Sequence, residues 1–192
     1  MVKNVRTLAW NDVDETLLRQ CAELWARVWP HGLDLSPEGL DANAETRLAH
    51  MRERYGALSN HQFHIGLTEG SVVSVARTFT HTVLIIDESG SSTPQRILAL
   101  ASVCSDPRHR GEGWGYLVTE AALARTDAEK LTALFQSGVP EFYERFGSRT
   151  IPNEVFTSKP GATAFTDDVV MIHPGSADWN DDARIDLQTS GW

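Results

Sequence analysis

The sequence predicts an α/β (α+β) protein, with helices set between the strands of a mixed sheet. Three observations carry this prediction. An apolar, β-prone run over residues 97–103 passes through a glycine-rich turn into a helix-compatible stretch over 116–124. A second apolar run, Ala133-Leu134-Phe135-Gln136, precedes a segment bounded by Pro140 and Gly147, which suit the first turn and the C-terminal cap of a helix. Nearer the N-terminus, Leu17, Cys21, Leu24 and Val28, and then Ala44, Leu48, Met51 and Tyr55, recur at helical spacing. The sequence has no repeats, low-complexity tracts or shifts in composition, so residues 1–192 read as one domain. That length buries roughly two-thirds of the unfolded surface.

In chain order, residues 5–10 form the first expected strand. Asp12-x-x-Glu15 reads as a capping box for the first helix, and Pro30-His31-Gly32 stops it. Ser36-Pro37-Glu38 starts the second helix. Strands over 61–67 and 71–79 are joined by a Glu69-Gly70 turn, and 82–87 continues their sheet. Residues 88–95, rich in Ser, Gly, Thr and Pro, are expected to be loop. After the 97–124 unit, residues 127–132 form a connection to the strand at 133–136. In the helix after Pro140, Val139, Phe142 and Phe146 share one face. Strands over 150–156 and 168–173 follow, separated by a loop around Lys159-Pro160-Gly161.

The turn inside the 97–124 unit carries the chemistry. Asp106-Pro107 ends the strand, Arg108-His109-Arg110 follows, and Gly111, Gly113 and Gly115 alternate into the helix. Glycines let backbone N–H groups approach a ligand, and the helix N-terminus adds partial positive charge, so this is a cradle for phosphate. Two familiar loops are excluded. A Walker loop needs Lys and then Ser or Thr where Trp114-Gly115-Tyr116 stands, and a dinucleotide fingerprint needs G-x-G-x-x-G rather than G-x-G-x-G.

The pattern that fits is R-x-x-G-x-G, read as Arg110-Gly111-Glu112-Gly113-Trp114-Gly115, which resembles the acetyl-CoA loop of the GNAT acyltransferase superfamily. A second motif of that superfamily, Y-x-x-x-G-[FW] at the end of a helix, resembles Tyr143-Glu144-Arg145-Phe146-Gly147, with Ser148 where an aromatic is usual. The resemblance covers roughly residues 5–175. Asp168-Val169-Val170-Met171-Ile172-His173-Pro174, Trp179, Ile185-Asp186-Leu187 and Gly191-Trp192 are similar to a microbial GNAT subgroup, and more distantly to aminoglycoside 2′-acetyltransferases. On that similarity the chain is expected to be complete at its C-terminus.

The resemblance implies the GNAT fold, a central mixed, mostly antiparallel twisted sheet flanked by helices, and acetyl-CoA as cosubstrate. It implies that Val103, Cys104 and Ser105 meet the pantetheine arm through the strand edge, with Val103 and Ser105 offering main-chain groups to its amides. Arg110, Gly111, Glu112, Gly113, Trp114 and Gly115 hold the pyrophosphate, while Arg108 meets the 3′-phosphate or solvent. Gln136 falls where many relatives have Asn. Tyr143 is the expected acid, since a thiol leaving group near pKa 8.5 departs readily only when protonated. A general base is not readable. His64, His81, the Trp192 carboxylate and a water chain are the alternatives, and Asp106 is expected to be a solvated turn residue. Trp114 either stacks on a ligand or packs under the sheet. Trp10, Trp25 and Trp29 are expected in the core or in an acceptor wall, with Glu38, Asp41 and Glu45 as carboxylates suited to a cation.

Composition narrows the function. A net charge of −9 argues against nucleic acid and, unless it serves solubility alone, favours a cationic acceptor. No apolar stretch approaches the ~20 residues of a membrane span, and Met-Val-Lys-Asn-Val-Arg lacks the apolar core of a signal peptide. Cys21 and Cys104 read as reduced core residues, so the cytoplasm is the expected location. No metal is expected, since the Cys are unpaired and His61-x-x-His64 is the one close His pair. The function that follows is direct N-acetyl transfer from acetyl-CoA to a primary amine of a small acceptor, by a monomer or homodimer. Two alternatives stand beside it: a non-catalytic acyl-CoA-binding or sensing module, and a protein or peptide N-acetyltransferase, whose groove residues 157–192 would instead cover.

Overall fold

A computed structural model of the chain describes residues 3–29, 36–165 and 169–192, except for the side chains of Pro37 and Leu40. The fold groups into two compact units, Met1–Phe79 with Ser102–Ala122, and Thr80–Ala101 with Leu123–Trp192. Among the described residues no helix is long and apolar enough to cross a membrane.

The first unit begins with β1 (Asn4–Ala9), a 3-10 turn at Trp10–Asp12, α1 (Glu15–Val28), α2 (Pro37–Tyr55) and β2 (Ser59–Thr68). It includes the start of β3 (Ser71–Ile86), the end of β4 (Ser92–Ser105), a 3-10 turn at Pro107–His109, and the start of α3 (Trp114–Glu129). Its strand order is β1-β2-β3-β4. β1 and β2 are antiparallel, from Asn4 opposite Leu67 to Ala9 opposite Gln62. Glu69 and Gly70, at φ of 50° and 80°, make the tight β2–β3 turn.

The cap of α1 differs from expectation. Asp12 is taken up in the 3-10 turn, and Asp14 accepts from Leu17 N at 2.8 Å instead. Ser36 caps α2 as expected, accepting from Gly39 N at 3.1 Å. The helical stripes are the buried ones: Leu17, Cys21 and Leu24 on α1, and Ala44, Leu48 and Met51 on α2, join Phe63, Ile65 and Val75 of the sheet in one core. The stop at Pro30-His31-Gly32 lies outside the described residues.

The second unit contains the remainder of β3, β4 and α3, followed by β5 (Ala133–Ser137), α4 (Pro140–Glu144), β6 (Arg149–Thr150), β7 (Val155–Phe156), β8 (Val169–His173) and β9 (Arg184–Asp186). Its strand order is β3-β4-β5-β8-β6, with β9 on β3 and β7 on β9. β4 and β5 are parallel at Leu98↔Ala133 and Ala99↔Leu134, and β7 and β9 are also parallel. β5–β8, β6–β8 and β3–β9 are antiparallel. The architecture is thus the mixed, mostly antiparallel sheet with helices that the sequence predicts.

Other boundaries differ as well. The expected loop at 88–95 is a tight turn, in which Asp87 Oδ1 accepts from Ser89 N at 2.9 Å and Ser91 N at 3.0 Å, and β4 already starts at Ser92. α3 runs on to Glu129, where Arg125 Nε donates to Glu129 Oε1 at 2.8 Å across one turn. The strand expected over 150–156 is two short strands, β6 and β7. In α4, Val139 lies just outside the helix and is 57% exposed, so Tyr143 is the residue that turns inward.

Candidate functional site

β4 arrives at the glycine loop with its two edges in different use. Asp106 N donates to Val73 O at 2.8 Å, and Cys104 O accepts from Ser74 Oγ at 2.7 Å. Main-chain groups alternate sides along a strand, as side chains alternate faces, so those of Val103 and Ser105 point to the opposite edge. That is the edge on which an extended, amide-bearing ligand would pair. The Cys104 side chain packs into the core with α1 and α2, and Ser105 Oγ lies 2.8 Å from Ser74 Oγ.

Asp106 anchors the loop. Its side chain is 1% exposed and takes hydrogen bonds from Arg108 N at 2.9 Å, Arg108 Nε at 3.0 Å and Arg108 Nη2 at 2.7 Å. Arg27 adds an ion pair at 3.5 Å. The bonds from Arg108 hold the Asp106 carboxyl down at about 2, against the effect of burial. The expected solvated turn residue is therefore a buried one, and Arg108 clasps it. Because the folded-state pKa is depressed, this carboxylate's stabilisation is present in full above about pH 4 and disappears as pH falls towards 2. The Arg108 side chain is 72% exposed, so solvent screening leaves roughly 1 kcal/mol. Asp106→Asn should melt below wild type at neutral pH, and that gap should shrink towards zero when melting is followed down to about pH 2.

Gly111 and Gly113 hold φ of +83° and +80°, a region that side-chain-bearing residues rarely occupy. Between them, the Glu112 carboxylate lies 3.2 Å from His109 Nδ1 and accepts from Trp114 Nε1 at 3.1 Å, and Lys3 donates to its carbonyl. His109 and Trp114 keep that carboxylate below its ordinary range. Leu117 N donates to Gly113 O at 3.2 Å, closing the first turn of α3. The first-turn amides, Gly115 among them, have no partner within the helix and carry its positive dipole end. Arg110 is exposed and has no ion pair among the described residues. This set of groups fits a phosphate-bearing ligand.

Trp114 packs rather than projecting into the loop. It is 3% exposed, and a Cβ built on Gly66 of β2 would lie 2.9 Å from Trp114 Cε3. Gly66→Ala should therefore cost about 1–3 kcal/mol, read as a melting temperature roughly 5 °C lower. Beside the loop, a cleft of about 850 Å³ is lined by Gln20 and Arg27 of α1, Glu69 and Val72 around the hairpin turn, and Arg108 and His109.

In the second unit, Tyr143 is 7% exposed, its ring centre 4.8 Å from that of Phe135 on β5 and 5.0 Å from that of Phe142. Its carbonyl accepts from Phe146 N at 2.9 Å and Ser148 N at 3.3 Å, and Gly147, at φ +80°, completes the turn after α4. Ser148 is buried, and its Oγ lies 3.2 Å from His173 Nδ1. Burial pulls the His173 pKa down, with Asp127 opposing. Gln136 on β5 keeps its Oε1 buried with no hydrogen-bond partner among the described residues, an acceptor suited to a ligand N–H.

Two of the alternatives for a base, His64 and His81, have polar neighbours at their ring nitrogens. His64 is 0% exposed, with Nδ1 3.0 Å from Thr7 Oγ1 and Nε2 2.9 Å from Thr78 Oγ1. His81 Nε2 lies 2.7 Å from Leu187 O, and its ring packs 5.7 Å from that of Trp192. Burial pushes the Cys21 thiol up to about 12 and the Cys104 thiol up as well, so neither is a nucleophilic thiolate near neutral pH. A residue that the motifs did not flag is Arg77, a guanidinium inside the apolar β3 run; its one signal is a lone arginine where the alternation calls for a core residue.

No family model matches the sequence, and no curated protein matches it significantly. Solved structures do resemble the fold. An acetyltransferase from Corynebacterium glutamicum, described as histone acetyltransferase HPA2 and related acetyltransferase, is 14% identical over 92% of this chain and 99% of its own, with a TM-score of 0.57. An acyl-CoA N-acyltransferase from Pseudomonas aeruginosa is 12% identical over 89% of this chain and 99% of its own, with a TM-score of 0.55. A GCN5-related N-acetyltransferase from Kribbella flavida is 17% identical over 77% of this chain, with a TM-score of 0.50. The chain spans 33% of the length of that last protein. The fold is that of the GNAT N-acetyltransferases. At these identities the GNAT likeness speaks for architecture: a glycine loop between β4 and α3, and α4 following the parallel strand β5.

Proposed function

We propose that the protein is an acetyl-CoA-dependent N-acetyltransferase that moves an acetyl group directly to the primary amine of a small acceptor. The observation that carries the reading is the junction of β4 and α3. There the main-chain groups of Val103 and Ser105 point away from β3, and two positive-φ glycines lead into a helix N-terminus. Pantetheine presents two amides to such an edge, and the pyrophosphate meets the loop amides and Arg110.

In the reaction, the neutral amine attacks the thioester carbonyl carbon. The C–N bond forms as the C–S bond breaks, the departing thiolate takes a proton from Tyr143, and the proton that the new amide nitrogen sheds passes through water to restore the Tyr143 hydroxyl. The two inert thiols favour this direct transfer over an acyl-cysteine intermediate. Calorimetric titration with acetyl-CoA, desulfo-CoA and adenosine, followed by a thiol-release assay over an amine panel, tests the reading. Tight acetyl-CoA binding with acceptor-dependent thiol release is expected. Binding without release would instead mark a sensing module, and no binding would overturn the reading of the loop.

A further inference from the structure

Among the described residues, the α1–α2 face of the first unit holds more hydrogen-bond donors and positive charge than its own side chains answer. Arg77 of β3 is 4% exposed and, among the described residues, pairs with no carboxylate. Its Nε and Nη2 both donate to Ser102 Oγ, at 3.1 and 3.0 Å, and Nη1 lies 3.4 Å from His61 Nε2. The guanidinium carbon stands 3.9 Å from the Tyr55 ring centre and 5.5 Å from that of Trp25. One hydroxyl, one imidazole and two ring faces, none of them a carboxylate, thus serve a fork of five N–H donors that never loses its charge.

Arg47 of α2 repeats the pattern. Its Nη2 donates to Trp29 O at 2.9 Å and its Nε to Asn43 Oδ1 at 3.3 Å, again neutral acceptors. Both guanidiniums lie within electrostatic reach of Tyr55, and burial lowers the pKa of each. Asn43 is 8% exposed and, among the described residues, its Nδ2 is buried without a partner, as is Arg27 Nε. The carboxylate that Arg27 reaches, Asp106, is already clasped by Arg108.

A planar anion with two acceptor oxygens is the chemistry such forks recognise. The position says whose anion it is. Ser102, held by Arg77 and itself at φ +53°, directly precedes Val103, where the strand edge assigned to the pantetheine arm begins. We propose that Arg47, Arg77 and Asn43 form a carboxylate subsite for the acceptor, so that the acetylated amine belongs to a small amino acid. This rests on the acetyltransferase reading and specifies its acceptor. It also reverses the expectation from net charge. The −9 is the total for the chain, and exposed charges are screened within about 8 Å, whereas a bound acceptor meets the local arginines. The amino acid's ammonium gives one proton to solvent, its nitrogen lone pair takes the acetyl carbon, and N-acetyl amino acid and CoA are the products.

The test uses protein saturated with CoA, titrated calorimetrically with N-acetyl amino acids bearing small, acidic, basic and aromatic side chains, and with the carboxamide of each. At least one acid should bind, roughly tenfold or more tighter than its amide. Arg47→Met, checked for folding by its melting curve, should reduce that preference to about twofold or less. Equal binding of acid and amide, or binding of neither across the panel, overturns the subsite, and the wild-type comparison decides this without any variant. Failure of the underlying reading is separately visible, because acetyl-CoA itself would then not bind.

Discussion

Tyr143→Phe should lower kcat by roughly 10²-fold while moving the KM for acetyl-CoA little, the share expected of a lost general acid. The ring's packing is retained in this variant: Phe fills the same space against Phe135 and Phe142, whose ring centres are 4.8 and 5.0 Å away. The backbone turn is also retained, since Phe146 N and Ser148 N bond to the residue 143 carbonyl and not to its side chain. Stability should therefore change by less than about 1.5 kcal/mol, and any loss of turnover reports on the hydroxyl alone. The measurement is steady-state thiol release with wild type and variant under conditions where chemistry limits the rate. Wild-type kcat in the variant would make Tyr143 a packing residue and leave the thiolate to be protonated by water.

The sequence exposed those parts of the site that depend on local chain geometry. Gly111 and Gly113 take positive φ, a requirement that glycine itself advertises, and Pro140 and Gly147 bracket α4 as their backbone preferences demand. The stripes of α1 and α2 were legible for the same reason, since 3.6-residue periodicity survives in any amphipathic helix. What was hidden depends on residues far apart in the chain. Asp106 reads as a turn residue until Arg27, 79 positions earlier, is seen beside it. Arg77 looks like an interruption of a strand until Ser102 and Tyr55 close on it. Short strands escaped too: β9 is three residues, Arg-Ile-Asp, with no alternation to read, and it forms because β3 offers an edge at Leu84–Ile86. The two capping readings differ in the same way. Ser36 satisfies a donor three residues on, a purely local event, whereas Asp12 lost its role to Asp14 because the preceding turn is 3-10.

Gly113→Val should weaken acetyl-CoA binding by 10²-fold or more, and Gly111→Val should do the same. At φ of +80° and +83° a β-branched residue carries strain of about 1–3 kcal/mol, which the chain relieves by rotating the peptide and turning the loop's N–H groups away from the ligand. Space is not the obstacle in the protein alone. A Cβ at Gly111 meets nothing within 4 Å, and one at Gly113 approaches only Lys3 Nζ, at 3.7 Å. Melting temperatures should therefore fall only modestly, while the dissociation constant for acetyl-CoA rises steeply, both read on the same preparations by calorimetry. Gly70→Val is the control that separates strain from recognition. Gly70 has the same φ of +80°, its Cβ would also meet nothing within 4 Å, and it lies in the β2–β3 turn outside the phosphate loop. It should show a similar loss of stability with acetyl-CoA affinity intact. Equal weakening of binding by all three variants would mean that the glycines act through stability alone, and the loop would lose its role as the phosphate cradle.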